Sequence, residues 1–251
     1  MKRILLYLFL SLVSLKISAG AAAELIDSAN TAFSKKDYQK AITLYEKVRA
    51  QGLEAPALYF NLGDAYFKKK NIPMAILHFE RSKKLQPGDD DTGFNLKTAN
   101  ALIVDKVEGA QVHLLATWEN RFYNQFSEKG WCILSIVSFT GCLLFLLFYF
   151  ISNRVRTKQY AFTIAFLFLL ASSFNFMIAR KTNITALTHD EAIVMAPQIK
   201  AKGSPDDKGT DLFILHEGTK VSVVRSSNGW SEVKLANGNT GWLPAAAFEV
   251  I

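Results

Sequence analysis

The residues able to do chemistry in this chain are few and scattered. His78, His113, His189 and His216 lie far apart in sequence and form no metal-ligand spacing. No GxSxG, HExxH or phosphate-loop pattern places a nucleophile, a zinc pair or a phosphate cradle. Asp89, Asp90 and Asp91 precede Gly93, but a calcium loop needs oxygen ligands at alternating positions, and that spacing is missing. Acids at a helix start instead complement its dipole. Cys132 and Cys142 stand in one apolar run, about 15 Å apart if it is helical, too far for a disulfide. No catalytic residue, cofactor site or metal site is expected, and the chain reads as a non-enzyme.

Charge narrows the field further. The 251 residues carry a formal net charge of +7, which invites a nucleic-acid reading. Residues 1–21 hold three cations and no acid, 22–105 hold twelve against eleven, 106–184 eight against three, and 185–251 six against eight. The basic excess flanks apolar segments, where it sets membrane orientation, and forms no phosphate-tracking patch. Nucleic acid is not an expected partner. Membrane lipid is.

Three apolar runs must position whatever the chain presents. Lys2 and Arg3 precede Ile4–Leu15 and a small-residue stretch, Ser18 to Ala23, the pattern of a secretory signal over 1–21 with cleavage after Ala19-x-Ala21. An uncleaved signal anchor is the other reading, and both export the residues beyond it. Residues 131–151 and 160–179 are uncharged, and each matches the roughly 20 residues of helix that cross a ~30 Å hydrocarbon core. Their thirteen and ten Leu, Ile, Phe or Val residues favour insertion by about 4–8 and 3–6 kcal/mol. Between them, residues 152–159 contain Arg154, Arg156 and Lys158, a short basic loop that stays in the cytoplasm. The expected product is a two-span hairpin in the inner membrane with both flanking regions on the periplasmic side.

The first of those regions repeats. Shifted by 34 residues, 22–55 falls on 56–89, so that Leu25 meets Tyr59, Ala29 meets Gly63, Ala41 meets Ala75 and Tyr45 meets Phe79. The second unit reads Tyr59-x2-Leu62-Gly63-x2-Tyr66, then Ala75, Phe79 and Pro87. This is tetratricopeptide spacing, each unit a helix–turn–helix. Gly63 and Ala75 are small where two helices approach, while Tyr66 and Phe79 fill space between units. A partial third unit, 90–105, keeps Phe94-Asn95-Leu96 and Ala99 but has Lys97 and Asn100 at the Gly and Tyr positions. About three units are needed to bury a core, so this helix must cap the array with help from the next segment or from a partner. Such arrays bind peptide segments on their first helices, which makes Asn30, Asn61 and Asn95 the groove candidates, against the reading that they are solvated amides. The variant that clamps a C-terminal carboxylate wants cations where Ile26 and Asp91 stand. Residues 106–130 carry Leu114, Trp118, Phe122 and Phe126 at helical spacing, fit either to lie on the membrane or to pack on the array.

From Asp190 onward the apolar period becomes two, within a terminal domain expected over 185–251. Strands are expected at Ala192–Ala196, Leu212–Leu215, Val221–Arg225, Trp230–Leu235 and Thr240–Leu243, separated by Gly-Ser-Pro, Glu-Gly and Asn-Gly turns. Five short strands in about sixty residues suggest a small barrel. Glu217-Gly218-Thr219-Lys220-Val221, Gly229-Trp230 and Gly241-Trp242-Leu243-Pro244 resemble bacterial SH3-like domains. Alternation sets Ser231, Val233 and Leu235 on one face, and Trp230 with Glu232 and Lys234 on the other. Trp230 and Trp242 are the ligand-face candidates, against packing at a barrel edge. Ala247 stands where proline-reading SH3 domains carry an aromatic, which argues against a polyproline ligand.

The whole reads as a multidomain membrane protein of all-α tetratricopeptide repeats, two transmembrane helices and an all-β SH3-like barrel. That order of parts resembles the BatE-type proteins of the Bat aerotolerance operons, most specifically at Leu62-Gly63 and from Phe213 to Pro244. The resemblance implies a scaffold or adaptor in an inner-membrane complex linked to aerotolerance or stress. Its partners would be other Bat membrane proteins with von Willebrand A domains. The alternative is a cell-envelope protein whose terminal domain binds peptidoglycan or assists a wall enzyme.

Overall fold

The computed structural model describes residues 22–106, 122, 125, 126, 128–187 and 190–251. The signal segment 1–21 and most of 106–130 lie outside the described residues, as do His113 and His189. The chain forms two compact units. One holds the N-terminal helices together with the C-terminal strands, and the other holds two long helices.

In the first unit, helix α1 (22–34) is followed by α2 (Tyr38–Ala50), α3 (Pro56–Lys68), α4 (Ile72–Leu85) and α5 (Asp90–Asn100). The 34-residue period reappears atom by atom in the turns. Asp37 accepts from the Lys40 N–H at 3.1 Å to cap α2, and Asn71 accepts from the Met74 N–H at 3.3 Å at the start of α4. Lys36 and Lys70, one period apart, both take positive φ (62° and 61°) where the first helix of each unit ends. Pro56 opens α3, where a missing N–H costs nothing. Asp89 caps α5 by accepting from the Thr92 N–H at 2.9 Å, with Asp90 and Asp91 in the first turn. The acidic triplet is thus a helix start. Gly63 lies under the Phe79 ring so closely that a Cβ there would come within 2.6 Å of it. Helix α3 can meet α4 only through glycine.

The strands are β1 (Glu191–Val194), β2 (Gln198–Lys202), β3 (Asp211–His216), β4 (Lys220–Ser227), β5 (Trp230–Lys234), β6 (Thr240–Pro244) and β7 (Phe248–Val250), with one 3-10 turn at Ala245–Ala247. All pairings are antiparallel, in the order β3-β2-β6-β5-β4-β1-β7. The sheet is open, with β3 and β7 at its ends. Two strands exceed the sequence expectation. Strand β2 follows Pro197 and has only Ile199 and Ala201 as apolar positions, and β7 is three residues long, so neither carries enough β-rich residues to stand out. The alternation of β5 holds, with Ser231, Val233 and Leu235 buried.

Strand β1 joins the two halves. Its alternation sends Ala192 and Val194 into the core of the sheet, against Leu215, Val221, Val233 and Leu243. Ile193, between them, points the opposite way. It packs with Ile251 into a cluster of Ala75, Ile76, Leu77 and Phe79 from α4 and Leu96 and Ala99 from α5. All three β1 residues are fully buried. The incomplete repeat array is therefore capped by this chain's own C-terminal strands. Polar bonds surround the apolar seam. Arg81 Nη2 donates to the Val250 carbonyl at 2.6 Å and to Glu249 Oε1 at 3.1 Å. Lys220 Nζ lies 3.0 Å from Glu80 and 2.9 Å from Glu191. Asp105 accepts from the His216 N–H at 2.7 Å and from Thr219 Oγ1 at 2.8 Å, and its other oxygen sits 2.8 Å from His216 Nδ1. Gly218, at φ +87°, passes so near Ile103 that a Cβ would lie 2.5 Å from it.

The second unit is a hairpin of α6 (Glu128–Ile151) and α7 (Val155–Leu187). Both helices are long and apolar enough to cross a membrane, over Lys129–Ile151 and Val155–Lys181. Only 17% and 22% of their apolar windows are buried within the protein, unlike the core helix of a soluble domain. They meet closely. Ser135 Oγ donates to the Ser172 carbonyl and Ser172 Oγ to the Ser135 carbonyl, each at 3.0 Å, and the Phe168 ring covers Gly141. The connection is tighter than the expected loop 152–159. Helix α7 begins at Val155, so Arg154 alone of the three cations is in the turn, while Arg156 and Lys158 ride the first turns of the helix. Arg and Lys are good helix formers and give no stop signal. Cys132 and Cys142 are free thiols.

Candidate docking surfaces

The first surface is the face of the repeat array formed by α1, α3 and α5. Asn61 Nδ2 reaches Asn30 Oδ1 at 3.5 Å, and Asn95 Nδ2 donates to Asp64 Oδ1 at 2.9 Å. Asn30 and Asp64 are one period apart, as are Asn61 and Asn95, so the same acceptor–donor bracket ties each first helix to the next. Tyr45 also donates its hydroxyl proton to Asn30 at 2.6 Å. The three asparagines are brought onto one surface, and their amides are engaged within the array. Beside the second bracket opens a cleft of about 220 Å³, lined by Asp64, Phe67, Lys68, Phe79, Asn95 and Thr98. Burial pushes the Asp64 carboxyl above the usual carboxylate range, while Lys68 and the Asn95 hydrogen bond pull it back only in part. Asp64, the period mate of Asn30, is the groove residue that a search for asparagines passes over.

Under that face Phe79 and Tyr66, expected between units, also pack within their own unit. Leu62, Gly63 and Ala75 are buried, Phe79 lies near Phe60 at 6.0 Å between centroids, and Tyr66 stacks on His78 at 5.3 Å. His78 is fully buried between Tyr66 and Tyr59, its Nε2 3.6 Å from Glu46. Burial first, then the charges of Arg81 and Arg49, push its pKa down to about 3, so the ring is neutral at ordinary pH. Burial and the neighbouring Glu46 push the Tyr66 hydroxyl up to about 12. Among the described residues no group of three or more His, Cys, Asp or Glu side chains could hold a metal.

The second surface is on the sheet. A cleft of about 380 Å³ is lined by Trp230, Pro244, Gln198, Ile199, Lys200, Lys202 and Asp207. Trp230 and Pro244 are cross-strand neighbours, so an aromatic and a proline form one wall against the basic edge of β2. Trp242 shares that side of the sheet but is only 8% exposed, with the Arg225 guanidinium 5.3 Å over its ring. Arg225 is held there by Glu232 at 2.6 Å. The two tryptophans expected to act together are thus separated, one lining the cleft and the other covered.

On the hairpin, Lys158 Nζ sits 5.5 Å over the Tyr149 ring, which ties the start of α7 to the end of α6. The residues that sequence reasoning did not single out are Ile193, Met195 and Ile251, which seat the sheet on the array. For Ile193 and Met195 the signal was present in the sequence. Ala192–Ala196 is unbroken in apolar character, the mark of a strand buried on both faces.

Residues 56–89 match the tetratricopeptide repeat family. No curated protein matches the chain. The repeat is a protein-interaction unit, and it marks this chain as one that meets protein partners.

Proposed function

We propose that the chain is a non-enzymatic adaptor of the inner membrane, exporting its repeat array and an SH3-like terminal domain to the periplasmic side as one docking body. The observation that carries this reading is the shared core of Ile76, Phe79, Leu96, Ile193 and Ile251. Its contributors come from before and after the two apolar helices in sequence. A packed core cannot form across ~30 Å of hydrocarbon, so an inserted hairpin must return the chain to the side it left. The basic residues Arg154, Arg156 and Lys158 then keep the hairpin tip in the cytoplasm, and a signal segment at 1–21 exports the first helices.

The SH3-like reading draws on the seven short antiparallel strands, the 3-10 turn before β7 and the cleft that Trp230 and Pro244 line together. Together with the repeat, it supports membership in a Bat-type aerotolerance or stress complex, with von Willebrand A-domain membrane proteins as partners. The cleft at Trp230 also favours a second reading, a terminal domain that binds peptidoglycan.

The test is co-purification from detergent-solubilised membranes of the wild type, Thr98→Arg and Trp230→Ala. Thr98 is exposed and lines the array cleft, so arginine there blocks the cleft without entering the core. Loss of a von Willebrand A-domain protein with Thr98→Arg is expected. An unchanged set of associated proteins in both variants would end the adaptor reading, and retention on peptidoglycan that Trp230→Ala abolishes would favour the wall-binding one.

A further inference from the structure

The two ends of the sheet are treated differently. The β7 end is covered, because Arg81 from α4 donates to the Val250 carbonyl. The β3 end pairs with β2 on one side and, among the described residues, with no strand on the other. Unpaired strand edges are templates for further strands, and proteins usually blunt them.

The polarity of that edge can be read from one bond. The His216 N–H goes to Asp105 and not to β2, so His216 faces outward in the ladder. Backbone groups in an antiparallel strand alternate sides with period two. Ile214 therefore turns its N–H and carbonyl to the same open side, while Phe213 and Leu215 pair with Ala201 and Ile199 of β2. The register slips at Leu212, next to the Ala201–Lys202 step, which limits the usable edge to a short stretch. The side chains agree. Leu212 is 52% exposed and Ile214 45%, and with Val224 they are the exposed large apolar residues of the sheet. An exposed backbone row flanked by apolar side chains is satisfied by an extended polypeptide, not by a helix or a small anion.

Charge defines the occupant further. Glu217 is exposed just after β3, and Asp105 closes the His216 end of the row. At the other end Asp206 and Asp207 are offset by the exposed Lys208, and Asp211 by Lys200 and Lys202 at 2.7 and 2.6 Å. The acidic excess thus lies at the His216 end of an apolar row. We infer that the outer edge of β3 is a strand-addition site for an extended segment of a partner protein, apolar at alternate positions and basic at the end that meets Asp105 and Glu217. Asp105 sets its length by occupying the last outward donor.

The test uses the full chain in detergent micelles and a fluorescein-labelled, end-blocked peptide of sequence Lys-Val-Thr-Val-Thr-Val-Lys. Saturable anisotropy is expected, together with slowed exchange at the Ile214 amide when the peptide is present. Ile214→Pro deletes the outward N–H without touching a β2–β3 bond, and it should weaken binding about fivefold or more, the worth of roughly one hydrogen bond. Ile214→Val keeps the donor and should bind as wild type. Four results would overturn the inference: no binding by the wild type; equal binding by Ile214→Pro or by a peptide with glutamates at its ends; exchange at the Ile214 amide already slow without peptide; or a chemically cross-linked dimer that Ile214→Pro abolishes, which would make a second copy the occupant. The exchange readout on the wild type stands even if the proline variant fails to fold.

Discussion

Arg81 and Val250 are 169 positions apart, with both apolar helices between them, yet the Arg81 guanidinium donates to the Val250 carbonyl at 2.6 Å. Arg81 belongs to the second helix of a tetratricopeptide unit and Val250 to the last strand of the sheet. The contact stands at the margin of the seam where Ile193 and Ile251 fill the face that a further repeat would cover. Repeat arrays need such a closing surface, and here a different fold supplies it.

Arg81→Ala leaves the Val250 carbonyl without its donor and Glu249 without its partner. A loss of about 1–3 kcal/mol is expected, the cost of a buried acceptor stripped of its bond. Ile193→Ala opens a cavity in the seam and should cost about 2–5 kcal/mol. Pulse proteolysis of the full chain in micelles checks both. Helices and strands should become cleavable together, since they share one core.

Gly218→Ala sets a Cβ 2.5 Å from Ile103 at a φ of +87° that alanine resists. Gly63→Ala drives a methyl against the Phe79 ring at 2.6 Å. Each should destabilise by about 1–3 kcal/mol through overpacking. Gly218→Ala should loosen the sheet from the array first, seen as faster amide exchange at 216–220 than within β5.

Acid should weaken the first unit through His78. Its pKa in the folded chain is about 3 against an ordinary 6.5, so the unfolded chain binds a proton that the folded one refuses. The contribution is fully present above pH 6.5, falls by about 1.4 kcal/mol per pH unit below it, and levels off below pH 3. His78→Phe should flatten that slope in a series of denaturant melts. Asp105 adds a lower window. Burial works to raise its pKa, but the hydrogen bonds from His216 and Thr219 outweigh that and hold it below 3.8, so its contribution is lost as pH falls through the depressed value.

Trp230→Ala should leave stability within about 1 kcal/mol, since the ring lines an open cleft, yet remove whatever the cleft binds. Trp242→Ala should instead destabilise by about 3–5 kcal/mol, because its ring is covered by Arg225 and packed in the sheet. Thermal melts of both variants separate two roles that the sequence had left alike.

Much of this architecture was legible because it rests on local rules. The 34-residue repeat, the small residues Gly63 and Ala75, the apolar helices and the alternation of β5 all stem from spacing within one element or its neighbour. What stayed hidden depended on distant partners. Nothing near Asp105 in sequence announces His216, and the asparagines read as free until their acceptors one helix away are known. Trp242 looked like Trp230 because both stand in stretches that resemble SH3-like domains, while only tertiary packing decides whether Arg225 covers it. The closing of the array by Ile193 was half visible, as an apolar run too continuous for a one-sided strand.

Side-specific labelling tests the central claim most directly. In a background without Cys132 and Cys142, single cysteines at the exposed positions Gln51 and Asn237 are treated with a membrane-impermeant maleimide, in spheroplasts and in inverted membrane vesicles. Both positions should label in the spheroplasts and neither in the inverted vesicles until detergent is added. Labelling of the two positions from opposite sides would contradict the shared core, and with it the single docking body.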